Sequence, residues 1–382
     1  MVLKAFKLRL YPNKTQRNQN NVNFSCARFV WNQMLNMHIE RYKNNKKAKF
    51  QGRYSMDVML KALKIEYPWL KQAESTSLQR VNRDLDDAFQ RFFNHSLQNG
   101  FPRFKSKKNT NQSYTSKFVN NNIRIVDEHH IKLPKLGLVY FKAGRILNGK
   151  IRAVTVSVNS RKQYQASILV ESENQTFKKT KKSVGIDLGL KSLTVTSDGQ
   201  KEDILKVDDG LNKQLRIWER KKSRRYENAK KAMAFDEHDK VLFPRTDLKQ
   251  FPRYQQAVRT VAKLKKHIAE RRRDNLHKLT TRLVKDYDTI VVENLSVKNM
   301  MQNHHLSASI ANASWGTLIS QLKYKCAWYG KKLIIIDPKN TSRICHECKQ
   351  KNHEFDSLSQ SEWLAAREWD CPNVHAHLDR DV

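Results

Sequence analysis

Along this chain the spacing of apolar residues changes from strand-like to helical, back to strand-like, and then to an alternation of the two. Residues 2–10 alternate in places and run into Tyr11-Pro12-Asn13, which predicts a strand closed by a turn. From about residue 14 to 47, Phe24, Ala27, Val30, Trp31, Met34, Leu35 and Ile39 recur near a 3.6-residue period and predict helix. A helix-turn-helix is one reading of that stretch, and an amphipathic helix in a structural bundle is the commoner one. Helical spacing returns over 56–64 and 75–97. In the second of these Leu78, Val81, Leu85, Ala88, Phe89, Phe92 and Phe93 form one wide stripe, most simply a core face. Between about 113 and 173 the pattern is of short strands with polar turns, at 123–126, 131–133, 138–141, 151–158 and 165–171. Short strands at close spacing predict a small antiparallel β-barrel. The strand at 2–10 is a candidate partner, with the helical block inserted between them.

A polar, basic stretch at 175–182 reads as a linker. After it, residues 183–197 read as an apolar β-branched strand, a turn at 189–191 bearing Gly189, and a second strand returning beside the first. Two long basic helical segments follow, at 211–234 and 253–286, separated by a polar loop. A short apolar run at 288–295 ends near Glu293, residues 297–307 look irregular, 315–329 is helical, and 332–337 is a third core strand stopped by Pro338. A hairpin followed by alternating helices and strands predicts an α/β domain around a mixed sheet.

Charge narrows the class of partner. The 382 residues carry 73 Lys and Arg against 37 Asp and Glu, a formal net charge of +36 spread over the whole length. So large a single-sign excess points to a polyanion, with steeply salt-dependent binding. A membrane is the competing reading, but no apolar run approaches the ~20 residues of a spanning helix. Residues 1–10 lack the continuous apolar core of a secretory signal peptide. The clusters Lys221-Lys222-Ser223-Arg224-Arg225 and Arg271-Arg272-Arg273 favour nucleic-acid contact over an indifferent solvated face. Phe101-Pro102-Arg103-Phe104-Lys105 interleaves aromatics with cations. It could stack on bases, or its phenylalanines could anchor the loop.

Two sets of residues carry candidate chemistry. Asp187, flanked by apolar neighbours in one strand, would lose solvation without a compensating cation, and Glu293 ends another core strand. Two acids brought together by a sheet suit a hard divalent cation such as magnesium. Asp379 or Asp381 could add a third carboxylate. The second set is Cys345-x-x-Cys348 with Cys371 further on, thiolates spaced for structural zinc in a reducing compartment. Val374 stands where a fourth Cys is expected, and either His375 or His377 could complete a three-Cys, one-His site.

In combination and in this order, Gly185-Ile186-Asp187-Leu188-Gly189, Val291-Val292-Glu293-Asn294-Leu295, the cysteine half-sites, Asp379-Arg380-Asp381, the Phe-Pro-Arg-Phe loop, Ser314-Trp315-Gly316 and Asp337-Pro338 with Thr341-Ser342 resemble the TnpB (OrfB) family of insertion-sequence proteins. The resemblance covers nearly the whole chain. It implies an RNase H-like (RuvC-like) α/β nuclease domain at 183–382 with a zinc ribbon at about 341–377. It also implies an N-terminal β-barrel, with its first strand in 1–12 and the remainder and linker in 101–182, interrupted by a helical recognition block at 13–100. The implied catalytic and magnesium-binding residues are Asp187, Glu293 and Asp381, holding two Mg2+ ions. The zinc-ribbon half-sites of that family imply Cys345, Cys348 and Cys371 as structural Zn2+ ligands; the family's fourth Cys is Val374 here, which leaves His375, or else His377, as the candidate fourth donor.

The implied activity is RNA-guided DNA cleavage, related to that of type V CRISPR effectors, in a bacterial or archaeal cytoplasm at the nucleoid. Its partners would be a noncoding guide RNA from the transposon end and target DNA beside a short adjacent motif. Val374, and a chain that ends one residue after Asp381 where family members continue as a short helix, lead to the expectation of weakened cleavage. The alternative is a non-catalytic RNA- and DNA-binding repressor or regulator of transposition.

Overall fold

The computed structural model describes residues 1–97, 99–142, 149–173, 176–190, 192–203, 209–231, 248, 250–338, 344–345, 347–358, 362 and 368–379. Two compact units divide the chain, Met1–Glu173 and Asn174–Val382.

The first unit is a seven-stranded antiparallel sheet with helices inserted after its first strand. In chain order its elements are β1 (Val2–Leu10), α1 (Lys14–Asn44), α2 (Arg53–Glu66), α3 (Ser75–Phe93), β2 (Gln112–Lys117), β3 (Arg124–Ile125), β4 (His130–Leu133), β5 (Gly137–Lys142), β6 (Lys150–Val158) and β7 (Tyr164–Ser172). The strand order is β2-β6-β7-β1-β5-β4-β3. β1 pairs with β7 along its whole length, from Val2 opposite Ser172 to Leu10 opposite Tyr164. Among the described residues no pairing joins the edge strands β2 and β3.

The capping box at the start of α1 is reciprocal. Gln16 N–H donates to Asn13 Oδ1 at 2.9 Å and Asn13 N–H donates to Gln16 Oε1 at 3.0 Å. From there α1 runs unbroken for 31 residues, so a turn to the next helix comes only at 45–52. α3 starts on a buried carboxylate: Glu74 accepts from the N–H groups of Thr76 (2.9 Å) and Ser77 (2.6 Å) and from Ser116 Oγ (2.9 Å). The last bond ties the helix start to β2. Tyr114, also on β2, donates its hydroxyl to buried Asn20 of α1 at 3.1 Å.

The second unit is built on a five-stranded mixed sheet. Its elements are β8 (Ser183–Asp187), β9 (Ser192–Thr196), β10 (Lys201–Asp203), α4 (Asp209–Lys231), α5 (Pro252–Asp286), β11 (Thr289–Glu293), α6 (Val297–Met300), α7 (Ser307–Ala313), α8 (Trp315–Tyr329), β12 (Lys332–Ile336), β13 (Glu368–Asp370) and β14 (His377–Asp379). The sheet order is β10-β9-β8-β11-β12. β8, β9 and β10 form an antiparallel meander, while β8, β11 and β12 run parallel. Val184, Ile186, Ile290 and Val292 are buried, and they belong to one core with Leu276, Leu279, Leu283 and Val284 of α5 and Trp315, Leu318 and Leu322 of α8. A buried polar knot joins these helices. Lys325 Nζ donates to His277 O, Thr280 Oγ1 and Thr281 Oγ1, each at 2.7 Å.

Two turns depend on glycine. A Cβ at Gly189 would lie 2.8 Å from the backbone oxygen of Ser192, so the β8–β9 connection closes too tightly for a side chain. Gly330 caps α8 at φ 70°, a left-handed conformation that glycine adopts without strain.

Candidate functional site

The parallel register sets the two acids side by side. Val292 of β11 is opposite Ile186 of β8, and the next residue on each strand is Glu293 and Asp187. In parallel strands at matched positions, side chains project from the same face. Val184, Ile186, Ile290 and Val292 take the buried face, which leaves Asp187 and Glu293 on the other, both partly exposed. Both carboxylates therefore sit at the C-terminal ends of adjacent parallel strands, where α/β sheets carry their ligands. Ile336 of β12 follows opposite Glu293.

The start of this strand pair is fixed by a further carboxylate, Asp288. Asp288 accepts from the N–H groups of Thr180 (2.9 Å) and Lys181 (2.6 Å) and pairs with Lys331, whose side chain is 1% exposed. The Lys331 ammonium, then the Thr180 and Lys181 amides, hold the Asp288 carboxyl well below the usual carboxylate range. Phe177 stacks on Tyr329 at 4.1 Å between ring centroids. The polar stretch that reads as a linker is thus tied to the strands that bear the acids. A lone Asp before a strand gives no sign in sequence of a partner 43 residues on.

Cys345, Cys348 and Cys371 form a group whose sulfur atoms all lie within 4.8 Å of one another. Their surroundings are two copies of one turn. Cys345 N–H donates to Gln350 O and Lys349 N–H to Cys345 O; Cys371 N–H donates to Ala376 O and His375 N–H to Cys371 O. Lys349 and His375 are both left-handed, at φ 62° and 53°. The correspondence puts Val374 where Cys348 stands in the first turn, and it puts His375 at the position of Lys349. His375 is exposed and stays outside the cysteine group, because the left-handed fifth residue of such a turn leads the chain away from the centre. His377 is engaged elsewhere, with Nδ1 2.8 Å from Asp370 Oδ1. The Gln350 amide lowers the Cys348 thiol pKa, while burial raises that of Cys371. Three clustered thiols in this double turn fit a zinc ion. Asp381 lies outside the described residues.

The basic clusters divide between packing and surface. Arg272 donates to Ala311 O (3.2 Å) and Asn312 Oδ1 (2.7 Å), tying α5 to the end of α7, and burial lowers its pKa. Arg225 donates to Arg253 O at 2.7 Å and joins α4 to α5. Arg224 and Arg273 are exposed. The charge run therefore overstates the free cations, since a guanidinium that caps a neighbouring helix reads the same in sequence. Among the described residues, no helix is long and apolar enough to cross a membrane.

Comparison with known proteins agrees with this geometry. Residues 167–304, which carry both acid-bearing strands, match a family model described as "Probable transposase". Residues 315–382 match "Cas12f1-like, TNB domain", and 1–47 match "Helix-turn-helix domain". A Streptomyces pristinaespiralis protein named "Putative RNA-guided DNA endonuclease" is 31% identical over 390 residues, covering 100% of this chain and 87% of the relative. "Putative RNA-guided DNA endonuclease InsQ" of Escherichia coli K12 is 30% identical over 378 residues, covering 94% and 87%. Among solved structures, the protein of a Cas12f1–sgRNA–target DNA complex aligns over 98% of this chain and 97% of its own, with TM-score 0.57 at 12% identity. That likeness is one of fold. Identity of 30–31% to these relatives over 94–100% of this chain and 87% of each of theirs establishes that the chain belongs to the TnpB (OrfB) family of insertion-sequence proteins.

Proposed function

We propose that this chain is an RNA-guided DNA endonuclease that hydrolyses phosphodiester bonds with divalent metal. The observation that carries the reading is the placement of Asp187 and Glu293 at matched ends of two parallel strands, on one face. Asp381, through the family resemblance, is the third carboxylate. These carboxylates would hold magnesium, which would supply activation of the attacking water and stabilisation of the departing 3′ oxygen. The protein's own part is positional. The buried face of β8 and β11 and the Asp288–Lys331 clamp fix the two strands, so the carboxylates hold their spacing without reorganisation.

Cys345, Cys348 and Cys371 are the proposed zinc ligands, in a ribbon that includes β13 and β14. His375 would serve as fourth donor only if its turn reopened. The first unit is proposed as the barrel with its inserted recognition block. The net charge of +36 supports binding of guide RNA and target DNA by their backbones, with base pairing supplying sequence.

The test is incubation of the chain, purified with its neighbouring transposon-end RNA and magnesium, with a plasmid library randomised beside a guide-matched target. Linear product enriched for one flanking motif supports the reading. Retained binding without product favours the non-catalytic binder instead.

A further inference from the structure

Between Asp87 and Asp127 the chain contains no acidic residue, and in the middle of this stretch lies the Phe-Pro-Arg-Phe loop. The backbone on either side of Phe104 is clamped. Trp31 Nε1 donates to Arg103 O at 2.9 Å. Asn32 takes both polar groups of Lys105, accepting from its N–H at 2.8 Å and donating to its carbonyl at 3.0 Å. The Lys105 ammonium lies 3.7 Å from the centroid of the Trp31 ring. Upstream, Pro102 is buried, and Phe101 meets Phe89 and Phe92 edge-on at 5.5 and 5.3 Å.

The two phenylalanines therefore differ in role. Phe101 anchors the loop on α3. Phe104 is 54% exposed and has no ring partner among the described residues, although it is held at both ends by α1. An aromatic ring on a fixed backbone loses little conformational freedom when something covers it. Arg103, Lys107 and Lys108 beside it are exposed cations suited to phosphate. Cations around one displayed ring match a nucleotide strand, whose phosphates they neutralise while a base stacks on the ring. The base has to be unpaired, because in a duplex its faces are already covered by its neighbours.

We propose that Phe104 is a stacking platform for an unpaired base of bound RNA, with Trp31 and Asn32 as positioning residues. This rests on the reading of the chain as an RNA-binding protein. The test uses the full-length chain and a fluorescently labelled single-stranded RNA of roughly a dozen nucleotides, within the site sizes typical of such grooves. Phe104→Ala is expected to weaken binding by about 5- to 100-fold, the usual contribution of one aromatic–base stack. Phe104→Trp should stay within about 2-fold, since a larger ring also stacks. Asn32→Ala, which frees the Lys105 backbone, should give part of the Ala loss. Affinity for blunt duplex DNA and the thermal midpoint should not change. The salt dependence should keep its slope in Phe104→Ala and fall by about one unit in Arg103→Ala.

Unchanged RNA binding by Phe104→Ala, or an equal loss on duplex DNA, overturns the inference while leaving the endonuclease reading intact. A loss confined to single-stranded DNA of the same sequence overturns the assignment to RNA. Absence of RNA binding by the unmodified chain overturns the inference together with the functional reading.

Discussion

Asp288 and Lys331 pair across the entry points of two neighbouring parallel strands, one immediately before β11 and the other immediately before β12. The Lys331 side chain is buried, and its ammonium also donates to Lys178 O at 2.9 Å. A cation removed from water in this way needs its anion, and the anion in turn holds two backbone amides of the segment entering β8. The pair thereby sets three chain segments in register behind Asp187 and Glu293.

Lys331→Met removes the cation and leaves Asp288 with its backbone donors alone. The expected result is a thermal midpoint lower by several degrees, with slower cleavage and guide RNA binding largely kept. Differential scanning fluorimetry beside a cleavage assay checks this. A stability loss without any change in cleavage would show that the clamp does not position the acids.

The same pair predicts a pH dependence. The folded Asp288 carboxyl is held below its ordinary pKa, so its contribution to stability is fully present above the unfolded value of about 4 and is lost as pH falls through the folded value. Acid titration of the unfolding midpoint should therefore fall more steeply below about pH 4 in the unmodified chain than in Asp288→Asn.

Glu74→Ala strips the N-cap from α3 and leaves the buried Ser116 hydroxyl without its acceptor. A loss of about 1–3 kcal/mol is expected from denaturant unfolding. Because the carboxylate reaches both α3 and β2, hydrogen exchange should speed up in both elements.

Val374→Cys should convert the three-thiol group into a four-thiol site, since Val374 occupies in the second turn the place of Cys348 in the first. Competition with a chromogenic chelator should show tighter zinc retention than in the unmodified chain, whereas His375→Ala should leave retention unchanged. A loss of zinc in His375→Ala would mean that the turn reopens to bring the imidazole in.

Much of the second unit was legible because its chemistry interrupts its own pattern. An Asp inside Val184-Gly185-Ile186-Asp187-Leu188 and a Glu ending Ile290-Val291-Val292-Glu293 stand out against apolar neighbours, and helix 315–329 is observed over those residues. Strand β2 was poorly legible. Its buried residues include Tyr114 and Ser116, whose polar atoms are satisfied by Asn20 and Glu74, so Gln112–Lys117 lacks an apolar alternation. Strand β10 is likewise short and charged; it pairs with β9, and its Glu202 pairs with Arg282 of α5, a partner 80 residues away that local patterning does not show. The roles of Trp31 and Asn32 were hidden for another reason. Trp31 falls on the apolar stripe of α1 and reads as packing, Asn32 reads as an ordinary polar helix residue, and their loop partners are more than 70 residues away. His375 is the opposite case. Its residue type suits zinc and its spacing is close, but the left-handed turn places Val374, one residue earlier, at the ligand position.

The most direct measurement is magnesium-dependent cleavage of a guide-matched DNA by the purified ribonucleoprotein. It should be run with the unmodified chain, Asp187→Ala and Glu293→Ala while RNA and target binding are followed on the same samples. The unmodified complex is expected to cut, and either substitution to lower the rate by about 100- to 1,000-fold, as loss of one group stabilising the transition state typically does, with binding unchanged. Cleavage that survives both substitutions, or an unmodified complex that binds target fully yet never cuts it, would contradict the claim that these two carboxylates form the catalytic centre.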